Sequence, residues 1–322
     1  MIPVLAEEWT ARYAGSTRDM YRRTLVELAA ADPRVYCLDT DMGGLEDSFQ
    51  AVLPGQYVDL GIAEANMMGV AAGLAAAGKI PFVNTMAGFA SARACEQVKL
   101  DIAYHEMRVR IVVTHSGLSA GHFGPTHQAC EDLAIMRAIP NMTVVVPADT
   151  VETERAIRAA VEWPGPVYVR LGRNATPIVH DGEYDFRIGE AVVLRDGADV
   201  AIVAAGALPV TMALAAHEEL ARHGVAAAVV DLHTLKPLDV ATLVAVSRGR
   251  AGVVTVEDHN VIGGLGGAVA EALSEHAPAR VLRIGVPDRF CSDVGPHEYL
   301  LERSGVTAAR VVEAALRLCV RS

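Results

Sequence analysis

The sequence predicts an α/β protein made of two doubly wound domains with mainly parallel sheets, and three observations carry that prediction. Short β-branched runs alternate with longer helical stretches along the chain. Several loops that follow strands are rich in glycine and polar residues, which is where such sheets place ligands. A turn-rich break, NATPIVHDGEYDF at 174–186, separates two series of strands.

In the first series VYCLD (35–39), YVDL (57–60), IPFVN (80–84), VRIVVT (109–114), TVVVP (143–147) and VYVRL (167–171) read as buried strands. Helical patterns lie between them at 19–31, 63–77, 91–103 and 150–162. The second series runs EAVVLR (190–195), DVAIVAAG (199–206), VAAAVVDL (225–232), AGVVTVE (251–257) and VLRIGV (281–286). The expected domains are residues 1–180 and 187–322, the second being the smaller.

A chain of 322 residues is long enough for two buried cores. Its 52% hydrophobic and 21% charged residues exclude a disordered chain. The net charge of −11 argues against a nucleic-acid partner, because no basic excess exists to displace counterions. A small anionic ligand is still open to a local basic pocket. Five scattered cysteines without a CxxC pair fit free thiols in a reducing compartment. The start, MIPVLAEEWTARY, has acidic residues where a signal peptide would have a basic end and an apolar run. The apolar stretch 65–78 is too short to span a bilayer. The expectation is a soluble, cytoplasmic protein.

Four segments can carry chemistry. In DLGIAEANMMGVAAGLAAAG (59–78), Glu64 stands at the start of an apolar helical run. Spacing alone favours a helix-start acid stabilised by the dipole. A functional carboxylate there would need a designated partner. THSGLSAGHFGPTHQACEDLA (114–134) places His115, His122 and His127 on a glycine-rich loop at a strand's carboxyl end. Histidines so placed can donate to substrate oxygens or move protons, and they show no metal-ligand spacing. VEDHNVIGGLGGAVAEAL (256–273) lacks the third glycine and the distant acid of a dinucleotide site, so packing or interface is the better reading. Arg170 and Arg173 in VYVRLGRNA suit either an anionic ligand or an ion pair.

Taken together, TRDMYRRTLVELAAADPRVYCLDTDM, YVDLGIAEANMMGVAAGLAAAGKIPFV, FASARACEQVKLDIAY, GPTHQACEDLAIMRAIPNMTVVVPAD, GPVYVRLGR and VTVEDHNVIGGLGGAVAEAL resemble the C-terminal half of a transketolase. The likeness is nearest to the C-terminal subunit of bacterial split transketolases and runs from about residue 17 to the end of the chain. It implies a thiamine-diphosphate enzyme, with a pyrimidine-binding domain followed by the transketolase C-terminal domain. It implies that Glu64 hydrogen-bonds N1′ of the cofactor's aminopyrimidine, favouring the imino tautomer that deprotonates C2 of the thiazolium. Phe89 would stack on the pyrimidine, with Ile62 and Met86 beside it, Met86 replacing a second aromatic. His127 would contact sugar hydroxyls, while His115 and Arg173 would bind the substrate's phosphate.

The family's GDG motif with its later asparagine, which holds diphosphate and Mg²⁺, is missing from these 322 residues. The resemblance therefore implies a separate N-terminal subunit carrying the metal site, an α₂β₂ assembly, and a chain inactive by itself. Besides Met86, two further departures touch the substrate. His122-Phe123 replaces the usual Glu-Asp before GPTH, and DTDMGGLEDS offers Gly43, Gly44 and Leu45 where a phosphate-holding serine is usual. Phe123 and Leu45 are expected to make the acceptor channel less polar, which suits a non-standard aldehyde acceptor, for instance from secondary metabolism. Competing readings are a 2-oxoacid dehydrogenase beta subunit, a deoxyxylulose-phosphate-synthase-like half and a catalytically silent regulatory subunit. The GPTHQ and LGRN segments disfavour the dehydrogenase, the long N-terminal match disfavours the synthase, and retention of Glu64, Phe89 and His127 disfavours the silent subunit.

Overall fold

The computed structural model describes residues 13–180 and 184–320. The first twelve residues, read above as unlike a signal peptide, and positions 181–183 of the expected linker lie outside the described residues. Among the described residues no helix is long and apolar enough to cross a membrane.

Two sheets organise the chain. The first has seven strands: β1 (Val35–Asp39), β2 (Tyr57–Asp59), β3 (Ile80–Met86), β4 (Arg110–Thr114), β5 (Thr143–Val145), β6 (Val167–Arg170) and, from much later in the chain, β10 (Thr234–Lys236). Their spatial order is β10-β5-β6-β4-β3-β1-β2. All neighbours are parallel except β10, which runs antiparallel to β5. The second sheet contains β7 (Val192–Arg195), β8 (Val200–Ala205), β9 (Ala227–Asp231), β11 (Val253–Asn260) and β12 (Val281–Val286), in the order β12-β11-β8-β9-β7. Only β7 is antiparallel there.

The central strands are apolar along nearly their whole length because helices cover both faces. On one face of the first sheet, α1 (Thr17–Ala31) and α4 (Thr150–Glu162) bury Tyr21, Leu25, Ile157 and Ala160. Each begins at a side-chain cap: Ser16 Oγ accepts from Asp19 N at 3.1 Å, and Asp149 Oδ1 from Glu152 N at 2.8 Å. On the other face lie α2 (Glu64–Ala76) and the helical stretch 89–103, with α3 (Asp132–Ala138) following the glycine-rich loop. That core continues without a break into the second sheet through Val203, Leu232 and Leu235.

The second sheet is flanked by α5 (Ala207–Arg222), α6 (Val240–Ser247), α7 (Leu265–His276), α8 (His297–Arg303) and α9 (Ala308–Cys319). The stretch expected as a plain helix at 91–103 winds instead through wide π-type turns at 89–93 and 98–103. Such turns re-aim side chains, and here they carry Phe89 and Arg93. The expected linker is not loose: Val179, His180 and Phe186 are buried. In VEDHNVIGGLGG, Glu257 caps α7, accepting from Leu265 N at 2.6 Å and Gly266 N at 2.8 Å. A Cβ on Gly264 would stand 2.0 Å from that carboxylate, so these glycines serve packing.

Candidate active site

The carboxyl ends of the parallel strands collect nearly every residue singled out above. Glu64 is the first residue of α2, where free N–H groups favour a carboxylate. It is 2% exposed, and both its oxygens accept from Nη1 of Arg93, at 3.0 and 2.8 Å. The helix-start reading is therefore correct but incomplete, because the carboxylate also has a dedicated cation.

From that ion pair a line of contacts runs across the strand ends. The Arg93 guanidinium lies 4.2 Å from the centre of the Phe89 ring. Phe89 meets His127 edge-on at 5.2 Å, and His127 stacks on Phe123 at 5.0 Å. Phe123 meets His115 at 6.0 Å, and the Arg173 guanidinium stands 5.6 Å from the Phe123 ring. Six of the residues named from sequence thus share one line of contacts: Glu64, Phe89, His127, Phe123, His115 and Arg173. Met86, half-buried at the end of β3, lies in register with Thr114 next to His115. Ile62 is 74% exposed and stands outside the line.

His115 is the most constrained member. It is buried and holds a left-handed backbone, φ +57°, which a non-glycine residue adopts only when its surroundings impose it. Its Nδ1 is 2.8 Å from Thr114 Oγ1. Burial, reinforced by repulsion from Arg173, Arg18 and Arg22, pulls its pKa down to about 4. It is a neutral imidazole at neutral pH, and Arg18 and Arg173 line one basic pocket on an acidic protein.

An unfolded histidine titrates near 6.5, so between about pH 6.5 and 4 the unfolded chain takes up a proton that the folded chain refuses. The resulting stability is complete above pH 6.5 and is lost as pH falls toward 4, by up to about 3 kcal/mol. A His115→Asn variant is expected to lose thermal midpoint less steeply than the parent between about pH 7 and about pH 5. Identical slopes would remove His115 as a titrating group.

The second domain fastens this loop. Asp258, at the end of β11, accepts from Leu118 N at 3.1 Å and lies 2.8 Å from His297 Nε2. Burial alone would raise its pKa, but His297 and Arg170 hold it below the ordinary carboxylate value. Arg170 forks onto Asp132, at 2.8 and 3.0 Å, and also donates to the Asp258 carbonyl at 2.9 Å. Its role is therefore structural, the ion-pair alternative of the sequence reading. Leu45 corrects another expectation: it is 1% exposed in the core with Tyr21 and Phe49, and it lines no channel. Of the two apolar replacements, Phe123 alone faces the site, 46% exposed.

Sequence reasoning missed Arg93, Arg18, Arg22, Asp258 and His297. Arg93 carried a signal, since FASAR places it four residues after Phe89, on the same helical face.

The donor set fits one end of thiamine diphosphate. A buried carboxylate offers a hydrogen-bonding partner to a ring nitrogen, and Phe89 offers an aromatic face. Among the described residues, the His/Cys/Asp/Glu clusters close enough to hold a metal are Glu152–His180–Asp231, wholly buried, and Asp41–Glu46–Asp59, on the surface. Neither includes a residue of the line above.

Residues 14–178 match the transketolase pyrimidine-binding domain, and residues 189–311 match the transketolase C-terminal domain. The chain is 43% identical to a 6-deoxy-6-sulfo-D-fructose transketolase subunit of Clostridium sp., over 92% of each chain. It is 39% identical to an apulose-4-phosphate transketolase subunit of Phocaeicola vulgatus, covering 90% of this chain and 94% of that one. Among solved structures, a split-gene transketolase described as an inactive beta4 tetramer superposes with a TM-score of 0.86 at 44% identity, covering 95% of this chain and 98% of that one.

Proposed function

The chain belongs to the transketolase family, as the C-terminal subunit of a split transketolase, and from that premise we propose which half of the reaction it performs. In this reading residues 1–180 present the pyrimidine end of the cofactor and the sugar-binding loop, while residues 187–322 brace that loop. The observation that carries it is the continuous line Glu64–Arg93–Phe89–His127–Phe123–Arg173 at the strand ends.

Thiamine diphosphate, when bound, supplies the carbanion chemistry that moves a two-carbon ketol unit. Glu64 holds a proton at N1′ of the pyrimidine, with Arg93 giving up part of its grip on the carboxylate. Phe89 orients the ring, with Met86 and Ile62 contributing apolar contact. His127 donates to hydroxyls of the sugar, and neutral His115 with Arg173 binds the sugar's anionic end. Phe123 supplies an apolar wall where relatives of the wider family carry an acid.

The diphosphate and Mg²⁺ are assigned to an N-terminal subunit, in an α₂β₂ enzyme of the cytoplasm. The naming of two relatives as transketolase subunits supports this, as does the description of a relative's beta4 tetramer as inactive. The names of two relatives point to unusual anionic sugars, which supports a specialised substrate pair, with a non-standard acceptor from secondary metabolism.

One experiment tests both parts. The purified chain with thiamine diphosphate and Mg²⁺ is expected to show no ketol transfer, and the same chain mixed with its N-terminal subunit is expected to turn over. Robust turnover by the lone chain would refute the division of the site. In the mixture, erythrose 4-phosphate and ribose 5-phosphate are expected to be poor acceptors; ordinary rates with both would reject the specialised reading.

A further inference from the structure

We propose that Glu152, His180, Asp231 and His233 form a site for a zinc-like divalent cation, at the junction of the two domains and the segment between them. None of the four takes part in the line of contacts that begins at Glu64.

The four come from separate places. Glu152 is the third residue of α4, His180 lies on the connecting segment, Asp231 ends β9, and His233 follows two residues later. All are 3% exposed or less. His180 Nε2 lies 2.9 Å from Asp231 Oδ2 and 3.5 Å from Glu152 Oε1, and His233 Nε2 lies 4.0 Å from the same Glu152 oxygen. Ligands about 2.0–2.1 Å from a tetrahedral Zn²⁺ stand roughly 3.3 Å from one another; the ligand atoms of Glu152, His180 and Asp231 already lie within 4.8 Å of one another, and His233, the outermost of the four, would complete the set by closing on the ion. Two imidazoles with two carboxylates are zinc's ordinary ligand types.

Two atoms of the cluster have no hydrogen-bond partner although they are wholly buried: Asp231 Oδ1 and His233 Nε2. An unmet buried polar atom costs about 1–3 kcal/mol, and two in one cluster call for an occupant. Groups around the four are placed as outer partners of metal ligands. Tyr184 Oη donates to Glu152 Oε1 at 2.8 Å, and its ring stacks on His180 at 4.4 Å. Glu152 Oε2 accepts from Ala148 N at 2.6 Å. His233 Nδ1 is engaged by Thr234 Oγ1 at 2.8 Å, which leaves Nε2 to the cluster. Asp149 Oδ2 accepts from the backbone N–H groups of Val179 and His180, each at 2.7 Å, and so anchors the segment bearing His180.

Burial also pushes the Glu152 and Asp231 carboxyls well above their usual range, so neither stays charged there without a proton or a cation to neutralise it. A divalent ion meets that need, and a shared proton is the competing occupant.

The test uses the full chain without an affinity tag, grown in medium supplemented with Zn²⁺ or with Co²⁺ and desalted. The expected result is one equivalent of metal per folded chain. Cobalt should give the intense visible absorption of a four-coordinate site, without thiolate charge-transfer bands. His233→Gln and Asp231→Asn, folded by circular dichroism, should lose affinity by more than the about 10–100-fold typical of outer-shell changes. A folded parent chain holding less than about a tenth of an equivalent would overturn the proposal in favour of the shared proton. Thiolate bands, or metal retained by both variants, would place the ion elsewhere and overturn it equally. Should a variant fail to fold, the parent's stoichiometry and cobalt spectrum decide.

Discussion

Replacing Glu64 by glutamine is expected to lower kcat of the assembled enzyme by about 10²–10⁴-fold, the usual share of a positioned acid–base group. Glutamine keeps the volume and can still hydrogen-bond, but it cannot exchange a proton with a ring nitrogen. The fold should tolerate the change, because the lost partner, Arg93, is half-exposed and water can solvate it. The stability cost is therefore about 1 kcal/mol or less. Turnover with the N-terminal subunit, alongside a thermal melt, separates the two effects. A variant with parental kcat would remove Glu64 from the chemistry and leave it as a helix-start acid.

The second large effect is structural and lies at Gly117. Its φ of +56° is one that side-chain-bearing residues seldom adopt, and an added Cβ would meet Asp258 at 2.0 Å. Alanine there must expel the carboxylate that accepts from Leu118 N and pairs with His297. Backbone strain of about 1–3 kcal/mol adds to the loss of charge-assisted hydrogen bonds worth about 1.5–3 kcal/mol. Gly117→Ala is therefore expected to destabilise the chain by about 3–5 kcal/mol. It should also lower kcat/KM by about 10²-fold, because His115 and His127 flank the displaced segment. Urea denaturation and steady-state kinetics report on each. A loss under about 1 kcal/mol would show that the loop does not depend on Asp258.

Most of the fold could be read in advance because parallel strands buried on both faces leave continuous apolar runs, and helices leave a 3.6-residue period. VYCLD and VLRIGV became β1 and β12 at the expected boundaries. Strand β10 escaped notice because TLK is short and its partner lies some ninety residues earlier, so nothing local marks it. The same limit governs the site. Glu64 and His127 were legible because collinear motifs surround them. Asp258 and His297 act on the glycine-rich loop from across the domain junction, a relation visible only in three dimensions. The wide turns that swing Arg93 over Phe89 look like ordinary helix in sequence. Leu45 was misplaced because a glycine pair before it hides its return into the core.

Strand β10 has a bearing on how the protein can be cut. It lies antiparallel to β5 and closes that side of the seven-stranded sheet. A fragment ending in the segment after β6 would leave the N–H and C=O groups of β5 bare, a template for edge-to-edge aggregation. A soluble minimal fragment must therefore carry the chain through Lys236, with most of the second sheet in tow.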